Sequence, residues 1–569
     1  MRALYQDLIE EIKTSNPDQR QLLKLKKKFC ITHKIPKPPT NIELLLHAKD
    51  DELALLKKKL LSKPVRTASG VAPIAIMTAP FACPHGKCTF CPGGPHSYYG
   101  SVPQSYTGHE PTTMRAMRNN YDSYLQVFNR LEQYVLLGHA HDKVELIVMG
   151  GTFPALPQDY QDDFIRGAFQ AMNDFFEMFY PDGGFDFYFF KEFFELPGEV
   201  GSKERTEHIH EKLLQIKQRK QMTLEQEKTR NETAGIRCVA LCVETKPDWG
   251  FLEHGNRMLA QGCTRVEIGV QSVYDDVLMH THRGHDSADT KKSFQTLREL
   301  GFKISAHYMP GLPLTDEQRD LAGFRELFEN PDYRPDMLKL YPCMVAPGTA
   351  LYHEWKQGRF TPLTADQAAQ RIVQMKQWIP RYCRVQRIQR DVPTKMWASG
   401  VEFTNLRQYI HETYRPRCEC IRCREPMGKA VDFSAVKTNV LSYEAGGGQE
   451  FFISADDAKN DLILGFCRLR FPSQQLRPEI TGKTALVREL HVYGTATAIG
   501  EESAENAAQH RGLGKQLMAK AEEIAREHGK DRMLVISGVG AREYYRRLGY
   551  RKEGPYMAKE LEHGINEPA

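Results

Sequence analysis

Three cysteines, Cys83, Cys88 and Cys91, stand in the run CPHGKCTFC, a C-x4-C-x2-C spacing followed by PGGP. Three thiolates so spaced can hold three irons of a [4Fe–4S] cluster and leave the fourth iron open to an external chelating ligand. A structural zinc is the other reading, because zinc wants a fourth Cys or His and His85 stands inside the run. A second group, Cys418, Cys420 and Cys423 in RCECIRCRE, has C-x-C-x2-C spacing. A structural zinc is expected there, with His411 or Cys383 as fourth ligand. The other cysteines (Cys30, Cys238, Cys242, Cys263, Cys343, Cys383 and Cys467) are scattered and expected to be buried apolar thiols. Such clustering argues for metal ligation over a disulfide framework.

Further along, VELIVMGGTF ends in Gly150, Gly151 and Thr152. Glycines at a strand end let backbone approach a ligand closely, although such a pair alone is also an ordinary turn signal. On the cluster reading the ligand is S-adenosylmethionine, whose amino and carboxylate groups chelate the open iron. The spacing departs from the commoner C-x3-C-x2-C of radical S-adenosylmethionine enzymes. Glu244 of VETKPD, and Gln271 and Ser272 of GVQS, end further strand-like runs, where they could hold a nucleoside or simply cap strands.

Gln509, His510, Arg511, Gly512, Leu513 and Gly514 form QHRGLG at the start of a helical pattern. This matches the Q/R-x-x-G-x-G/A signature of GNAT-type acetyltransferases, in which glycine N–H groups close around a pyrophosphate at a helix N-terminus. Tyr544 and Tyr545 lie downstream on a helix where that fold often carries a tyrosine facing the thiolate, and one of the two is expected to be functional.

The elements that must position these residues follow from patterning. Runs at 72–80, 144–151, 236–245, 265–272, 302–310 and 337–342 are β-branched and alternate with charged, helix-period segments, which predicts an α/β fold with an open or partial barrel of parallel βα units. The suspect residues fall where strands end, as barrel chemistry requires. From about residue 440 the pattern changes to a loop, LSYEAGGGQE, then strand-like segments, the helix RGLGKQLMAKAEEIAREHG and the strand RMLVISGV. This predicts a smaller α/β domain with a mainly antiparallel sheet. Segment 201–234 is highly charged and expected to be an exposed helical insertion. The expected domains are thus 1–66, 67–393, a cysteine-bearing linker 394–439, and 440–569.

With 41% hydrophobic and 26% charged residues the composition is that of a soluble globular protein, expected in the cytoplasm and not in a membrane. Residues 1–66 carry 15 Lys/Arg against 8 Asp/Glu, and residues 381–430 carry 11 against 5. Both stretches suit a polyanionic partner, as they also suit solvated helix faces. Arg384, Arg387 and Arg390, three residues apart, could track a phosphate backbone or form structural ion pairs, and Tyr409 and Tyr414 offer surfaces for base stacking.

From about Pro73 to Met557 the chain resembles one family, the catalytic subunit of Elongator with its stand-alone archaeal and bacterial forms. The resemblance rests on CPGGP, QSYTGHEPTTMRA, VMGGTF, VETKPD, VEIGVQS, MPGLP, VQRIQRDVP, GVEFTNLR, IRCRE, ELHVYG, QHRGLG, ISGVG, YYRRLGY and GPYM. Lys246 stands where the family often has arginine, and 201–234 is unusually long. The resemblance implies modification of the tRNA wobble uridine. It also implies that Lys143, Glu489, Leu490, His491, Val492, Leu513, Gly514, Lys515 and Tyr545 contact acetyl-CoA. A deoxyadenosyl radical would take hydrogen from the acetyl methyl, the carbon radical would add to carbon 5 of uridine, and one-electron oxidation with loss of the carbon 5 proton, then thioester hydrolysis, would leave a 5-carboxymethyl group. That chemistry needs the acyl site and the cluster to face one shared cleft. The alternatives are a protein lysine acetyltransferase using only the C-terminal domain, and a tRNA-binding protein without catalysis. A homodimer is compatible with the sequence.

Overall fold

The computed structural model describes residues 2–60, 70–198, 202–493 and 512–562. Helices Arg2–Ser15, Gln19–His33, Asn41–His47 and Asp50–Leu60 open the chain. Their apolar faces, including Leu8, Ile12, Leu44 and Leu56, join the core of the domain that follows. Lys24, Lys27 and Lys28 lie on solvent, while Lys26 is buried and donates to Asn41.

The first sheet takes β1 (Ala72–Met77); the hairpin β2 (Gly94–Ser97) and β3 (Gly100–Val102) then carries the chain away before the sheet resumes. It continues with β4 (Lys143–Met149), β5 (Arg237–Thr245), β6 (Arg265–Gln271), β7 (Lys303–Tyr308), β8 (Met337–Leu340) and β9 (Arg384–Ile388). All are parallel, in the order β1-β4-β5-β6-β7-β8-β9, so the sheet is an open half-barrel with helices outside. Val144, Leu146 and Val148 alternate with half-buried partners along β4, which turns the apolar set onto the helices. β9 carries Arg384 and Arg387 and closes the sheet.

The second sheet contains β10 (Val436–Ala445), β11 (Gly448–Asp457), β12 (Leu462–Phe471), β13 (Thr484–Val492), β14 (Arg532–Val535), β15 (Arg551–Glu553) and β16 (Tyr556–Glu560). It is antiparallel except at β13–β14. The segment expected to be a loop at LSYEAGGGQE is instead the β10–β11 hairpin, turned at Gly446 and Gly447, so this domain begins a few residues earlier than expected.

One face of the second sheet caps the bottom of the half-barrel, where its strands begin. Lys303 pairs with Glu489 at 2.5 Å, Asp336 with Arg488 at 2.7 Å, and the carbonyl of Tyr382 accepts from Arg468 at 2.7 Å. Gly538 lies so close to β5 that an added Cβ would sit 2.0 Å from the carbonyl oxygen of Val239, so only glycine fits.

The expectation of an exposed insertion at 201–234 is corrected at its second helix; the first, Lys203–Arg219, buries only Arg205, Ile209 and Leu213. Helix Leu224–Thr233 is wedged between the two domains, with Glu227 and Asn231 fully buried. Asn173 donates to Glu227 at 2.7 Å, Asn231 accepts from the Cys238 N–H at 2.7 Å, and Glu232 binds Arg542 of the second domain at 2.7 Å. Its buried face is polar and paired, so no hydrophobic stripe marks it.

Candidate active site

A pocket with a cavity volume of about 130 Å³ opens at the C-terminal ends of the barrel strands, lined by Cys83, Cys88, Cys91, Gly151, Thr152, Glu244 and Gln271. The cysteines follow β1, the glycines follow β4, Glu244 ends β5 and Gln271 ends β6, so parallel topology alone gathers four segments distant in sequence. A tetrahedral zinc, with Zn–S near 2.3 Å, draws its sulfurs to within about 4 Å of each other. Among the described residues the only His/Cys/Asp/Glu group closing within 4.8 Å is Cys418, Cys420 and Cys423, so Cys83, Cys88 and Cys91 with His85 do not fit a single ion. Their wider separation suits a polynuclear cluster. Burial, then Cys91, pushes the Cys83 thiol up to about 11, so metal binding must displace its proton.

The surroundings fit a polar cofactor. Gly150 has φ +129°, and a Cβ there would lie 2.1 Å from Thr78 Oγ1, so the turn admits only glycine. Arg283, a loop residue outside every motif named above, donates to Cys88 Sγ at 3.3 Å and to the Gly269 carbonyl at 2.7 Å. Its Nε and Gln271 Oε1 are buried without a hydrogen-bond partner among the described residues. A carboxylate and an amine are what such orphaned groups would receive. Glu244 accepts from Tyr106 Oη at 3.0 Å, and burial holds its carboxyl above the usual range. Ser272 Oγ accepts the Tyr274 N–H at 3.2 Å, a strand-end cap. Lys246 is buried at the rim and donates to Asp248 at 3.1 Å.

Deeper in the barrel, Glu267 takes His307 at 3.1 Å and also pairs with Lys339. Burial alone would raise the Glu267 carboxyl, but Lys339, His307 and Arg265 outweigh it and hold the group well below the carboxylate range. The same burial lowers His307 to about 4, so the ring is neutral near pH 7.

At the opposite end of the strands lies the acyl side. β13 pairs with β14 only as far as Val487–Val535, then runs on to Val492, past a bulge at Arg488, paired with β12 alone. The backbone of Glu489, Leu490, His491 and Val492 is therefore unpaired on the β14 side and open to an amide-bearing ligand. Helix Leu513–Glu527 starts beside it, with Gly512 as its left-handed N-cap and Lys515 on solvent. Gln509, His510 and Arg511 lie outside the described residues. Tyr544 Oη is buried, unpartnered among the described residues, and faces Gly514. Tyr545 is in the core, where burial, then Cys467, Tyr544 and Glu489, raise its hydroxyl pKa. Lys143 begins β4 opposite Arg237, at this same end of the barrel.

Neither His411 nor Cys383 joins Cys418, Cys420 and Cys423, so the expected fourth ligand is not found. Cys383 is buried and offers Ile421 only its carbonyl, while the buried Lys376 Nζ lies 3.8 Å from Cys423. Of the arginine series, Arg384 is an interior ion-pair partner of Glu425 at 2.6 Å, whereas Arg387 and Arg390 line the mouth of the cysteine pocket. Tyr409 and Tyr414 share Asp366, and Phe403 packs on Tyr409 with centroids 4.6 Å apart.

Residues 1–68 match the ELP3 N-terminal domain, 79–324 the radical SAM superfamily, 335–415 the radical SAM C-terminal domain and 418–550 the acetyltransferase (GNAT) family. The chain is 42% identical over 573 residues to a tRNA uridine(34) acetyltransferase of Methanocaldococcus infernus, covering 99% of each. It belongs to the Elongator complex protein 3 family. The human Elongator complex protein 3 is 39% identical over 556 residues, covering 95% of this chain and 93% of the relative. A solved structure of the M. infernus Elp3 lacking residues 1–46 superposes with TM-score 0.70 at 40% identity, over 87% of this chain and all of that one. In the terms of that family, the half-barrel is of radical SAM type and the second sheet is GNAT-like. No described helix is long and apolar enough to cross a membrane.

Proposed function

We propose that the chain modifies the wobble uridine of tRNA, placing at carbon 5 a carboxymethyl group derived from acetyl-CoA. The observation that carries this reading is that one half-barrel bears the cysteine pocket at its top and the acyl strand β13 at its base, with Lys303 bonded to Glu489 across the joint. The M. infernus relative is named for the same uridine.

Cys83, Cys88 and Cys91 would hold the [4Fe–4S] cluster. Gly150, Gly151 and Thr152 would lie along S-adenosylmethionine, Arg283 would receive its carboxylate, and Glu244 and Gln271 would face its nucleoside. When bound, these groups supply the one-electron chemistry that activates the acetyl methyl. Lys143, the strand Glu489–Val492, Gln509, the helix start Gly512–Lys515 and Tyr545 would hold acetyl-CoA. Tyr544, with its unpartnered hydroxyl against Gly514, is the second candidate. His307, held neutral by burial and bonded to Glu267, gives the inner wall of the pocket a polar group without a net charge. Cys418, Cys420 and Cys423 would bind a structural zinc. The anticodon loop would enter past Arg387 and Arg390, with Phe403 and Tyr409 as stacking surfaces and the basic N-terminal helices under the tRNA backbone.

The test is anaerobic incubation of iron-reconstituted protein with dithionite, S-adenosylmethionine, acetyl-CoA and unmodified tRNA, followed by nucleoside mass spectrometry. The proposal expects 5-carboxymethyluridine, lost in each of Cys83→Ser, Cys88→Ser and Cys91→Ser. Acetyl label found only on lysines would replace it with protein acetylation.

A further inference from the structure

As proposed, the two sites lie at opposite ends of the barrel strands, the cysteine pocket at the top and β13 at the base. Along β7, from Lys303 at the base to Tyr308 at the top, a rise of about 3.3 Å per residue separates them by about 17 Å. The geometry points to the interior of the half-barrel as the passage along which the acyl arm of acetyl-CoA reaches the cysteine pocket. This inference rests on the function proposed above and adds the route.

Four observations support it. First, Lys303, Asp336 and Tyr382, which bind the second domain, all stand at strand starts, and β13 parts from β14 beyond Val487, just before Glu489, which reaches Lys303. Second, Glu489 faces the barrel and reaches Lys303, and His491, two residues on, shares that side of β13. Third, the inward side of the sheet is not the branched apolar packing that fills closed α/β barrels. Its registered positions include Glu145, Arg265, Glu267, Ser305 and Lys339, held in pairs such as Arg265–Glu145 and Lys339–Glu267. Buried charge is costly to maintain, and paired groups can exchange their partners for the amide and thioester oxygens of an entering arm. Fourth, the cysteine pocket already extends down to Glu267, His307 and Lys339, so only the layer holding Ser305 stands between it and the Lys303–Glu489 pair. Ser305 is small and fully buried, and its hydroxyl bonds Gln386 at 3.0 Å across the interior.

Ser305→Cys places a thiol on this route with minimal change of volume. Bromoacetyl-CoA carries its reactive carbon at the position of the acetyl methyl. Attack by the thiol forms a carbon–sulfur bond, bromide leaves, and the proton passes to solvent. The cluster-reconstituted variant, after calorimetry confirms that it binds acetyl-CoA, is treated with bromoacetyl-CoA and digested for peptide mass mapping. The inference expects an adduct at position 305, formed at least tenfold faster than with bromoacetamide and suppressed by excess CoA. Gln386→Cys, from the facing strand, is expected to behave alike. Normal acetyl-CoA binding with neither position labelled, or with labelling no faster than by bromoacetamide, overturns the route while leaving the proposed function standing. Failure of the wild-type chain to bind acetyl-CoA would remove the function and the route together.

Discussion

Asp336→Asn should loosen both domains at once. Asp336 is fully buried just before β8 and accepts two hydrogen bonds from Arg488 at 2.7 and 2.8 Å, with the Ile304 N–H at 2.9 Å and Arg468 at 3.4 Å. Burial opposes its charge, yet Arg488 and Arg468 hold the carboxyl below its ordinary range. Removing one partner of such a pair leaves cations uncompensated and costs about 3–5 kcal/mol. Asparagine keeps one acceptor oxygen, and Arg488 retains Glu450 at 2.9 Å, so the low end, about 3 kcal/mol, is expected. Urea unfolding followed by tryptophan fluorescence and by far-ultraviolet dichroism provides the assay. Trp249, Trp355, Trp378 and Trp397 all precede β10, so fluorescence reports the barrel side and dichroism the whole chain. Both transitions should move together. A loss below about 1 kcal/mol, or one confined to a single probe, would refute the view that this carboxylate locks the acyl domain onto the barrel.

Gly150→Ala forces a Cβ to 2.1 Å from Thr78 Oγ1 at a φ of +129°, so a loss of about 1–3 kcal/mol and at least a tenfold weaker S-adenosylmethionine affinity by calorimetry are expected; unchanged affinity would contradict the glycine's role. His491 is lowered from 6.5 to about 4 chiefly by burial, so its contribution is complete above pH 6.5 and lost as pH falls toward 4. That loss is about 2 kcal/mol at pH 5, and urea titrations of His491→Asn should show a shallower decline between pH 7 and 5 than wild type. Cys418→Ser should lower bound zinc from about one per chain while iron stays near about four, as read by elemental analysis; parallel loss of both metals would contradict two separate sites.

The sequence carried the site where chemistry demands fixed spacing. Cys83, Cys88 and Cys91 after one strand, the glycines after the next and Glu244 after a third fell into a single pocket because parallel strands deliver their C-terminal ends to one mouth. Six of the seven barrel strands were legible from β-branched runs, while β9, with its arginines, was not. Arg283 was missed because a loop arginine has no periodic signature. The buried helix Leu224–Thr233 was misread for a related reason: Glu227 and Asn231 are satisfied by Asn173 and the Cys238 N–H, and paired polar residues leave no hydrophobic stripe. Position along the strands was also invisible. The chemistry asks for one shared cleft without saying where along the strands it lies, and Lys303, Asp336 and Tyr382 set the second domain beneath the barrel.

The most direct test of the central claim follows hydrogen from one site to the other. Acetyl-CoA with a trideuterated methyl group is supplied to the reconstituted enzyme with S-adenosylmethionine and tRNA, and both products are analysed by mass spectrometry. If the two sites act in one reaction, 5′-deoxyadenosine gains one deuterium and 5-carboxymethyluridine retains two. Deoxyadenosine without deuterium, formed while acetyl-CoA is consumed, would mean that the acetyl methyl is not the point of attack and would contradict the account.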